Sequence, residues 1–238
     1  MKLRLLLSVL SVILFNVKFK NITIIAHNQR LSFMQNVRAL PKNEMQTVKD
    51  DNFHVKIFDS FLSLKDSDLF FQKLSININW RREQIFVWGK KRTTKRRVAW
   101  YADKGKKYSY SGLTLEPDNW DKDLFHIKQL IQNITHQEFN SVLLNEYPNG
   151  GVGMGWHSDD EKELGINPII ASVSLGAERD FLFRHKKDKS KEPVKILLKH
   201  GSLLLMMGST QHHWHHSLPI RRKVKDRRIN LTFRNIVS

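Results

Sequence analysis

The sequence contains no cysteine, and this absence excludes several kinds of site at once. A chain without thiols forms no disulfides, holds no zinc ribbon or iron–sulfur cluster, and has no thiol nucleophile. Any bound metal ion must therefore be held by histidine, by aspartate or glutamate, or by backbone oxygen.

Acidic residues are scarce as well. Lys and Arg number 40 against 23 Asp and Glu, which gives a net charge of +17. Such an excess favours a polyanionic partner, because each phosphate that a protein neutralises releases condensed counterions. A basic proteome or a need for solubility would give the same excess, so charge alone leaves the partner open. The length of 238 residues is enough for one domain with a substantial core.

Long hydrophobic runs are absent, with one exception near the start. A charged beginning (residues 1–4) precedes an apolar run (residues 5–15), as in a targeting signal. The run is shorter than a membrane span needs, and no clear cleavage site follows it. We expect no stable membrane insertion, while organelle targeting is left open. Residues 1–50 are predicted to be an N-terminal extension, signal-like or disordered, and residues 51–238 are predicted to be the folded domain.

Periodicity predicts two helices early in the chain and strands in most of the rest. Apolar residues at helical spacing predict helices over about 64–76 and about 121–135, the second with Asp121 as its N-cap. Short apolar or alternating runs predict strands at 84–88, 141–147, 168–175, 179–184, 193–199, 202–207 and 228–236. This order favours a mainly β fold with flanking helices (α+β), in which the helices pack on a sandwich or jelly roll.

The positive charge is concentrated in residues 81–107. This segment holds 11 Lys or Arg and only two acidic residues, Glu83 and Asp103, with four aromatic residues among them. Cations hold phosphates while flat rings stack on bases, so the mixture indicates a nucleic-acid-binding region. A solvated loop whose aromatic residues belong to the core is the alternative. Two shorter basic runs follow at 184–191 and 221–228.

His157 and Asp159, which follow a Gly-rich turn at 149–151, suggest a pair of metal ligands. In an extended strand, residues two apart project to the same face, so an imidazole and a carboxylate could reach one ion. A second histidine from a distant strand would complete the two-histidine, one-carboxylate face that suits non-haem Fe(II). On its own, a His-x-Asp sequence is common, and a solvated turn would explain it equally well.

The second histidine has four candidates in one short tract: His212, His213, His215 and His216. Alternation along a strand would separate the first and last of these from the two in the middle. Spacing alone does not choose between the two faces. A His-rich tract could also bind metal non-specifically or simply lie at the surface.

The segment 228–234 is a third feature. On a strand, Arg228, Asn230, Thr232 and Arg234 would share one face, and the opposite face would be apolar. Such a row could clamp a small dicarboxylate by bidentate hydrogen bonds. An ordinary half-buried strand with a wet, cationic side is the alternative.

In this order, the motifs resemble the AlkB family of Fe(II)- and 2-oxoglutarate-dependent dioxygenases, most closely its DNA-repair branch. The resemblance covers roughly residues 83–236 and rests on Asn145-x-Tyr147, His157-x-Asp159-x-Glu161, Ser172-Val173-Ser174-Leu175-Gly176, His200-Gly201-Ser202-Leu203-Leu204-Leu205-Met206, His216-Ser217-Leu218-Pro219 and Arg228-x-Asn230-x-x-x-Arg234. It implies a double-stranded β-helix (jelly roll) in which residues 81–115 form a basic nucleotide-recognition hairpin region.

The resemblance also implies roles for individual residues. His157, Asp159 and His216 would be the catalytic Fe(II) ligands, and His216 is singled out because it immediately precedes Ser-Leu-Pro. The residues that would hold 2-oxoglutarate are Arg228 and Tyr147 at its distal carboxylate, Asn145 and Arg234 near its other end, and Asn230 as an assisting group.

The base-binding side is implied in the same way. Glu161 would face the exocyclic edge of the damaged base, and Tyr110 and Tyr108 would stack on it. Arg96 would be a further substrate-binding residue. Trp88, at a hairpin tip, would enter the base stack and fill the gap left by an extruded nucleotide. Trp is larger than the ring expected at this tip, so the resemblance supports a duplex preference less firmly than it supports the fold.

The implied activity is oxidative demethylation of 1-methyladenine and 3-methylcytosine in DNA. It requires Fe(II), 2-oxoglutarate and O2, and it releases formaldehyde. We expect a monomer that binds DNA, duplex in preference to single strands or RNA, in the nucleus of a eukaryote or the cytoplasm of a bacterium. An RNA base demethylase and a catalytically silent nucleic-acid-binding protein of the same fold are the alternatives.

Overall fold

A computed structural model describes residues 45–50, 52–87, 90–106, 108–110, 113–115 and 117–237. Its strands are β1 (Met45–Asp50), β2 (Phe53–Phe58), β3 (Arg81–Val87), β4 (Lys90–Ala102), β5 (Tyr108–Tyr110), β6 (Leu113–Leu115), β7 (Ser141–Tyr147), β8 (Met154–His157), β9 (Ile170–Gly176), β10 (Arg179–His185), β11 (Val194–Leu198), β12 (Ser202–Met207), β13 (Trp214–Leu218) and β14 (Arg228–Arg234). The larger sheet has the order β1-β2-β12-β9-β14-β7-β4-β3, the smaller has the order β11-β10-β13-β8, and β5 pairs with β6. This arrangement is the predicted jelly roll.

The two predicted helices are confirmed. Helix α1 (Leu64–Asn77) begins after Ser63, whose side chain accepts a hydrogen bond from the backbone N–H of Asp66. Helix α2 (Lys122–Thr135) begins after Asp121, which accepts from two backbone N–H groups of the first turn. A short helix α3 (Thr210–His213) and a 3-10 turn (Lys162–Leu164) complete the helical elements of the described chain. None of its helices has the length and the hydropathy needed to cross a membrane.

The main core fills the space between the two sheets. Phe53 of β2 contacts Phe183 of β10 at 5.0 Å and Trp214 of β13 at 4.6 Å between ring centroids. These three aromatic residues belong to a larger buried cluster that joins the sheets. Burying apolar surface at about 25 cal/mol per Å² makes such a cluster the main source of stability. The core therefore fixes the spacing of the sheets whose strands carry the polar site described below.

Several strands differ from the sequence-based prediction. The 13-residue strand β4 was missed because its first half is cationic and exposed, and continuous burial begins only at Val98. The strand β1 pairs with β2 from Met45↔Phe58 to Asp50↔Phe53. The predicted division after residue 50 therefore falls within a hairpin, and residues 45–50 belong to the larger sheet. The role of the segment before them remains a prediction outside the described residues.

Candidate metal and co-substrate site

Two neighbouring strands of the smaller sheet bring two histidines together. His157 ends β8, and His216 lies opposite it on β13. Their Nε2 atoms are 3.1 Å apart. Asp159 follows two residues after the strand, and ligand atoms of all three side chains lie within 4.8 Å of one another. No other cluster of three or more possible metal ligands occurs among the residues that the structure describes.

The backbone of β8 approaches β13 closely because residue 153 is glycine. A Cβ atom at Gly153 would lie 2.3 Å from the carbonyl oxygen of Leu218 on β13, far inside van der Waals contact. Only a residue without a side chain fits this approach, so Gly153 lets the start of β8 lie against the end of β13, and these two strands carry His157 and His216.

Each imidazole is held in an orientation that suits a metal ligand. The Nδ1–H of His157 donates to the carbonyl oxygen of Gly155 at 2.9 Å, which orients the ring so that Nε2 faces His216. The ring of His216 stacks on Phe181, 5.2 Å between centroids. Burial lowers the pKa of His216 to about 3, so this imidazole is neutral.

Asp159 is buried and ionised. Burial alone would raise the pKa of its carboxyl, but Arg234, His216 and His157 together lower it to about 2. Its Oδ2 lies 3.0 Å from Nη2 of Arg234 on β14, and its backbone N–H donates to Oε1 of Gln211 at 2.9 Å. Asp159 is therefore held through both its side chain and its backbone.

These three residues fit a metal ion of the non-haem iron type. Metal–nitrogen bonds of about 2.1 Å at about 90° place two nitrogens about 3 Å apart, which is close to the observed 3.1 Å between the Nε2 atoms. Two imidazoles and one carboxylate on one side of an ion leave its other positions open for small ligands. The prediction that His157 and Asp159 share one face of a strand is wrong, because β8 ends at His157 and Asp159 lies in the loop beyond it.

The fold also decides among the four histidines of the tract. His212 and His213 lie on α3, so strand alternation begins only at Trp214. His213 stacks on His185, and His212 accepts a hydrogen bond from the backbone of Asn167. Of the four, only His216 enters the ligand cluster.

A cavity of about 590 Å³ opens beside this cluster, between the two sheets. All five residues predicted to hold the co-substrate line it: Asn145, Tyr147, Arg228, Asn230 and Arg234. The register explains why, because Arg228 lies opposite Tyr147 and Asn230 opposite Asn145 on adjacent strands. The polar face predicted for β14 thus becomes one wall of the cavity.

The two arginines of this wall lie in different surroundings. Arg228 lies over the ring of Tyr147, 5.5 Å from its centroid, and donates to Ser174 at 2.9 Å and Asn230 at 2.6 Å. Burial lowers the pKa of Arg228 to about 10, so it stays charged at neutral pH. Arg234 lies instead beside the candidate ligand Asp159.

Buried polar atoms on this wall have no partner within the described chain. The Nε of Arg228 and the Oδ1 of Asn145 are both fully buried and make no hydrogen bond there. Buried polar groups are normally satisfied, so a donor and an acceptor left over in one cavity indicate a polar ligand. A dicarboxylate next to Arg228 fits this arrangement.

Two further hydroxyl groups beside this wall, those of Ser172 and Ser174, were not predicted as site residues. Ser172 donates to Asn230 at 3.0 Å, Asn230 donates to Thr232 at 2.8 Å, and Ser174 accepts from Arg228. Their signal was available, because Ser172 and Ser174 alternate with apolar residues in a predicted strand. Polar positions two apart in an otherwise buried strand point to a polar cavity wall.

Of the residues predicted to bind the substrate, some line the cavity and others lie outside the described part of the chain. Glu161 and Arg96 line the cavity. Trp88 lies outside the described residues, and so do the side chains of Tyr108 and Tyr110 on β5.

The prediction that the aromatic residues of segment 81–107 stack on bases is wrong for two of them. Trp100 and Tyr101 are both buried in the core. For these two, the alternative that aromatic residues of segment 81–107 belong to the core is correct, and they are not available to stack on bases.

Comparison with known proteins identifies relatives over most of the chain. The model of the 2OG-Fe(II) oxygenase superfamily matches residues 54–234. The DNA oxidative demethylase ALKBH2 of Homo sapiens is 44% identical over 181 residues, which cover 72% of this chain and 69% of that protein. The ALKBH2 of Bos taurus is 43% identical over 72% of this chain, and the match spans 65% of its length. The alpha-ketoglutarate-dependent dioxygenase alkB homolog 3 of Homo sapiens is 37% identical over 76% of this chain and 66% of its own length.

Solved structures agree on the fold. The structure of OsALKBH1 superimposes with a TM-score of 0.59 at 17% identity, covering 80% of this chain and 99% of that one. A 2OG-Fe(II) oxygenase-family oxidoreductase from Burkholderia pseudomallei superimposes with a TM-score of 0.52 at 10% identity, covering 81% of this chain and 85% of that one. At these identities the likeness concerns the fold alone.

Proposed function

The chain belongs to the 2OG-Fe(II) oxygenase superfamily and, within it, to the AlkB family, and on that premise we propose that it repairs DNA by oxidative demethylation of N-alkylated bases. Its substrates would be 1-methyladenine and 3-methylcytosine. The observation that carries the proposal is the position of the His157, Asp159 and His216 cluster beside the polar wall of β14, in one cavity. Relatives at 43–44% identity that are named DNA oxidative demethylases support the choice of DNA.

The cofactors follow from the superfamily and fit the residues. When bound, Fe(II) with 2-oxoglutarate and O2 supplies the oxidation that hydroxylates the N-methyl carbon, and the hydroxylated base then releases formaldehyde. His157, Asp159 and His216 would hold the iron; Asp159 is ionised and His216 is neutral at neutral pH, so neither has to release a proton when the metal binds.

The polar wall would orient the co-substrate. Arg228, which is charged, buried and backed by the ring of Tyr147, would bind the distal carboxylate of 2-oxoglutarate. Arg234 lies beside Asp159, so it would act near the metal end, with Asn145 and Asn230 between the two arginines on neighbouring strands. A row of this kind fixes the co-substrate in one orientation before the base enters, which is how positioning contributes to rate.

The methylated base would occupy the remaining part of the cavity, next to Glu161. Both proposed lesions carry a positive charge, so a carboxylate in a partly buried pocket favours them over undamaged bases. Arg96 is proposed as a further substrate-binding residue. Stacking by Tyr108 and Tyr110 and insertion of Trp88 remain proposals for residues whose side chains the structure does not describe. We also propose a monomer that acts where the genome is, in the nucleus of a eukaryote or the cytoplasm of a bacterium.

Repair can be tested directly with protein loaded anaerobically with Fe(II). It is mixed with 2-oxoglutarate, air-saturated buffer and an oligonucleotide carrying 1-methyladenine, as duplex DNA, single-stranded DNA or RNA of the same sequence. We expect mass spectrometry to show loss of one CH2 unit from DNA, duplex in preference. The activity should disappear in His157→Ala and persist in His215→Ala, which removes a neighbouring imidazole outside the cluster.

Other outcomes would redirect the proposal. Demethylation of RNA alone would make the chain an RNA demethylase. Binding of iron, 2-oxoglutarate and oligonucleotide without any demethylation would make it a silent nucleic-acid-binding member of the fold.

A further inference from the structure

The pairing of β3 with β4 is irregular at one point. Arg82 lies opposite Arg97, but the next pair in register is Gln84 with Thr93. Glu83 therefore faces three residues, Thr94 to Arg96, and the hydroxyl of Thr94 donates to the carbonyl oxygen of Arg96 at 2.7 Å. Bulges of this kind turn a side chain away from the direction that regular alternation gives it, and they are common beside active sites.

The bulge brings together a buried ion pair on the cavity wall. Arg96 and Glu83 are 8% and 7% exposed, and Nη2 of Arg96 lies 2.8 Å from Oε2 of Glu83. Nη1 of Arg96 lies 3.1 Å from the sulfur of Met154, which is on β8 only three residues before His157. All three side chains line the cavity, so the pair reaches from the edge of the larger sheet to the strand that carries a candidate metal ligand.

Stability is a weak explanation for this pair. The desolvation penalty of a buried ion pair commonly offsets its attraction, so apolar residues of similar size are often as stabilising. The two side chains are also incompletely satisfied, because Oε1 of Glu83 and Nε of Arg96 are buried without a partner in the described chain. The proposed function leaves the carboxylate of Glu83 without a role.

The charge of the proposed substrate suggests a role for Glu83. A guanidinium on the wall of a partly buried pocket repels a cationic methylated base and has little effect on a neutral one. With Glu83 present, the charge of Arg96 is cancelled, and the other two charged side chains on this side of the cavity, Glu161 and Lys95, are one of each sign.

Building on the proposed function, we propose that Glu83 is a specificity-determining residue, whose carboxylate neutralises Arg96 and thereby lets the pocket accept cationic N-methylated bases. Glu83 acts through Arg96 rather than by touching the base. Arg96 remains the residue proposed to bind substrate, and the bulge brings its guanidinium to the carboxylate of Glu83.

The test compares repair of a cationic lesion, 1-methyladenine, with that of a neutral one, 3-methylthymine, in the same single strand. We expect Glu83→Gln to lower the ratio of the two kcat/KM values by about 10-fold, because it leaves a buried cation facing the base. Adding Arg96→Gln in the same chain should return the ratio to within about twofold of the parent, since the wall is again uncharged there. Glu83→Asp, which keeps the charge, should lower the ratio by less than Glu83→Gln.

A matched control lies one position away on the opposite face of β4. Arg97 donates two hydrogen bonds to the buried carboxylate of Glu146 on β7, outside the cavity. Glu146→Gln removes a comparable carboxylate from an arginine of the same strand, and it should lower the Tm without moving the ratio. Anisotropy titrations of the same oligonucleotides, with metal-free protein, give a second readout that does not depend on turnover.

Each outcome decides between explanations. An unchanged ratio in Glu83→Gln overturns the proposal, and so does a lowered ratio that Arg96→Gln fails to restore, because Glu83 would then act on the base itself. An equal fall for both lesions would make the pair merely structural. If the parent protein neither repairs nor binds either lesion, the proposed function itself fails. This result is distinguishable from failure of the Glu83 proposal because the parent protein is measured before the variants.

Discussion

Asp159–Arg234 and Glu83–Arg96 are two buried carboxylate–guanidinium pairs on the walls of one cavity, with N–O distances of 3.0 and 2.8 Å. The first pair lies between the loop after β8 and the central strand β14, and its carboxylate also faces two imidazoles. The second pair lies on the edge hairpin of the larger sheet, beside a bulge. The same pair of chemical groups is therefore used once at the centre of the fold and once at its rim.

The two pairs differ in the role of the carboxylate. Asp159 is held by its side chain and its backbone, and it is positioned to bind a metal ion. Glu83 has no imidazole neighbour and pairs only with Arg96 among the described residues. A central pair sets geometry on which every turnover depends, whereas a rim pair adjusts which substrates are accepted. Four predictions test this contrast, in order of decreasing expected effect.

Asp159→Asn should have the largest effect. It removes the anionic ligand and leaves Arg234 as an uncompensated buried charge, which costs about 3–5 kcal/mol when a buried pair is broken. Repair should fall by at least about 1000-fold on cationic and neutral lesions alike, because catalysis by a bound metal supplies several kcal/mol. Metal analysis of the purified variant and mass spectrometry of the product check this. Repair at the parent rate, or a loss confined to cationic lesions, would contradict the assignment of Asp159 to the central pair.

Arg234→Gln and Arg96→Gln should separate the two arginines. Arg234 is placed near the metal end of the co-substrate, so its loss should raise the KM for 2-oxoglutarate by about 100-fold, as expected when a charged partner of a carboxylate is removed. Arg96→Gln should leave that KM within about twofold and weaken oligonucleotide binding instead. Steady-state titration of 2-oxoglutarate at saturating oligonucleotide measures the first effect. A similar rise in the KM for 2-oxoglutarate in both variants would show that the two arginines do not have the separate roles proposed for them.

Gly153→Ala should weaken metal binding by about 10-fold. The added Cβ would lie 2.3 Å from the carbonyl oxygen of Leu218, so β8 must move from β13 and carry His157 from His216, and a shift of this kind costs about 1–3 kcal/mol. Gly155→Ala is the matched control, because a Cβ there meets nothing within 4 Å. Isothermal titration of Mn(II) into metal-free protein gives the affinities. Equal affinities for the two alanine variants would mean that the close approach at Gly153 does not set the site.

Ser174→Ala should have the smallest effect. It removes one acceptor from Arg228 and leaves the hydrogen bond from Arg228 to Asn230 in place. A typical intramolecular hydrogen bond contributes a net of about 0.5–1.5 kcal/mol, and Arg228 keeps its second partner, so the KM for 2-oxoglutarate should rise by about 3- to 10-fold. Binding of the oligonucleotide by metal-free protein should not change. A change in oligonucleotide affinity would place Ser174 on the substrate side of the cavity.

Contiguous patterns made the central site predictable. The polar face of β14 follows from alternation within seven residues, and Arg228, Asn230, Thr232 and Arg234 all line the cavity as expected. The N-cap at Asp121 and the helix after it follow from local capping and periodicity in the same way. His216 was not determined by spacing, and the resemblance to a known family was needed to select it.

The rim pair was not predictable from such patterns. Glu83 and Arg96 are 13 positions apart within a run of positive charge, and nothing in that run marks which cation is buried. Their contact depends on a register shift between β3 and β4. Local sequence does not specify such a shift, because pairing register is set by how the strands meet the rest of the sheet.

The sequence by itself determined the types of chemistry that the chain can carry: a metal site without thiols, a cationic strand face for a dicarboxylate, and an excess of positive charge. Alternation and capping act over a few residues, so they are readable there. Only the tertiary structure decided that His157, Asp159 and His216 meet, and that Glu83 neutralises Arg96. Those contacts join separate segments of the chain, and they depend on the pairing of β8 with β13 and on the register shift between β3 and β4, which no single segment encodes.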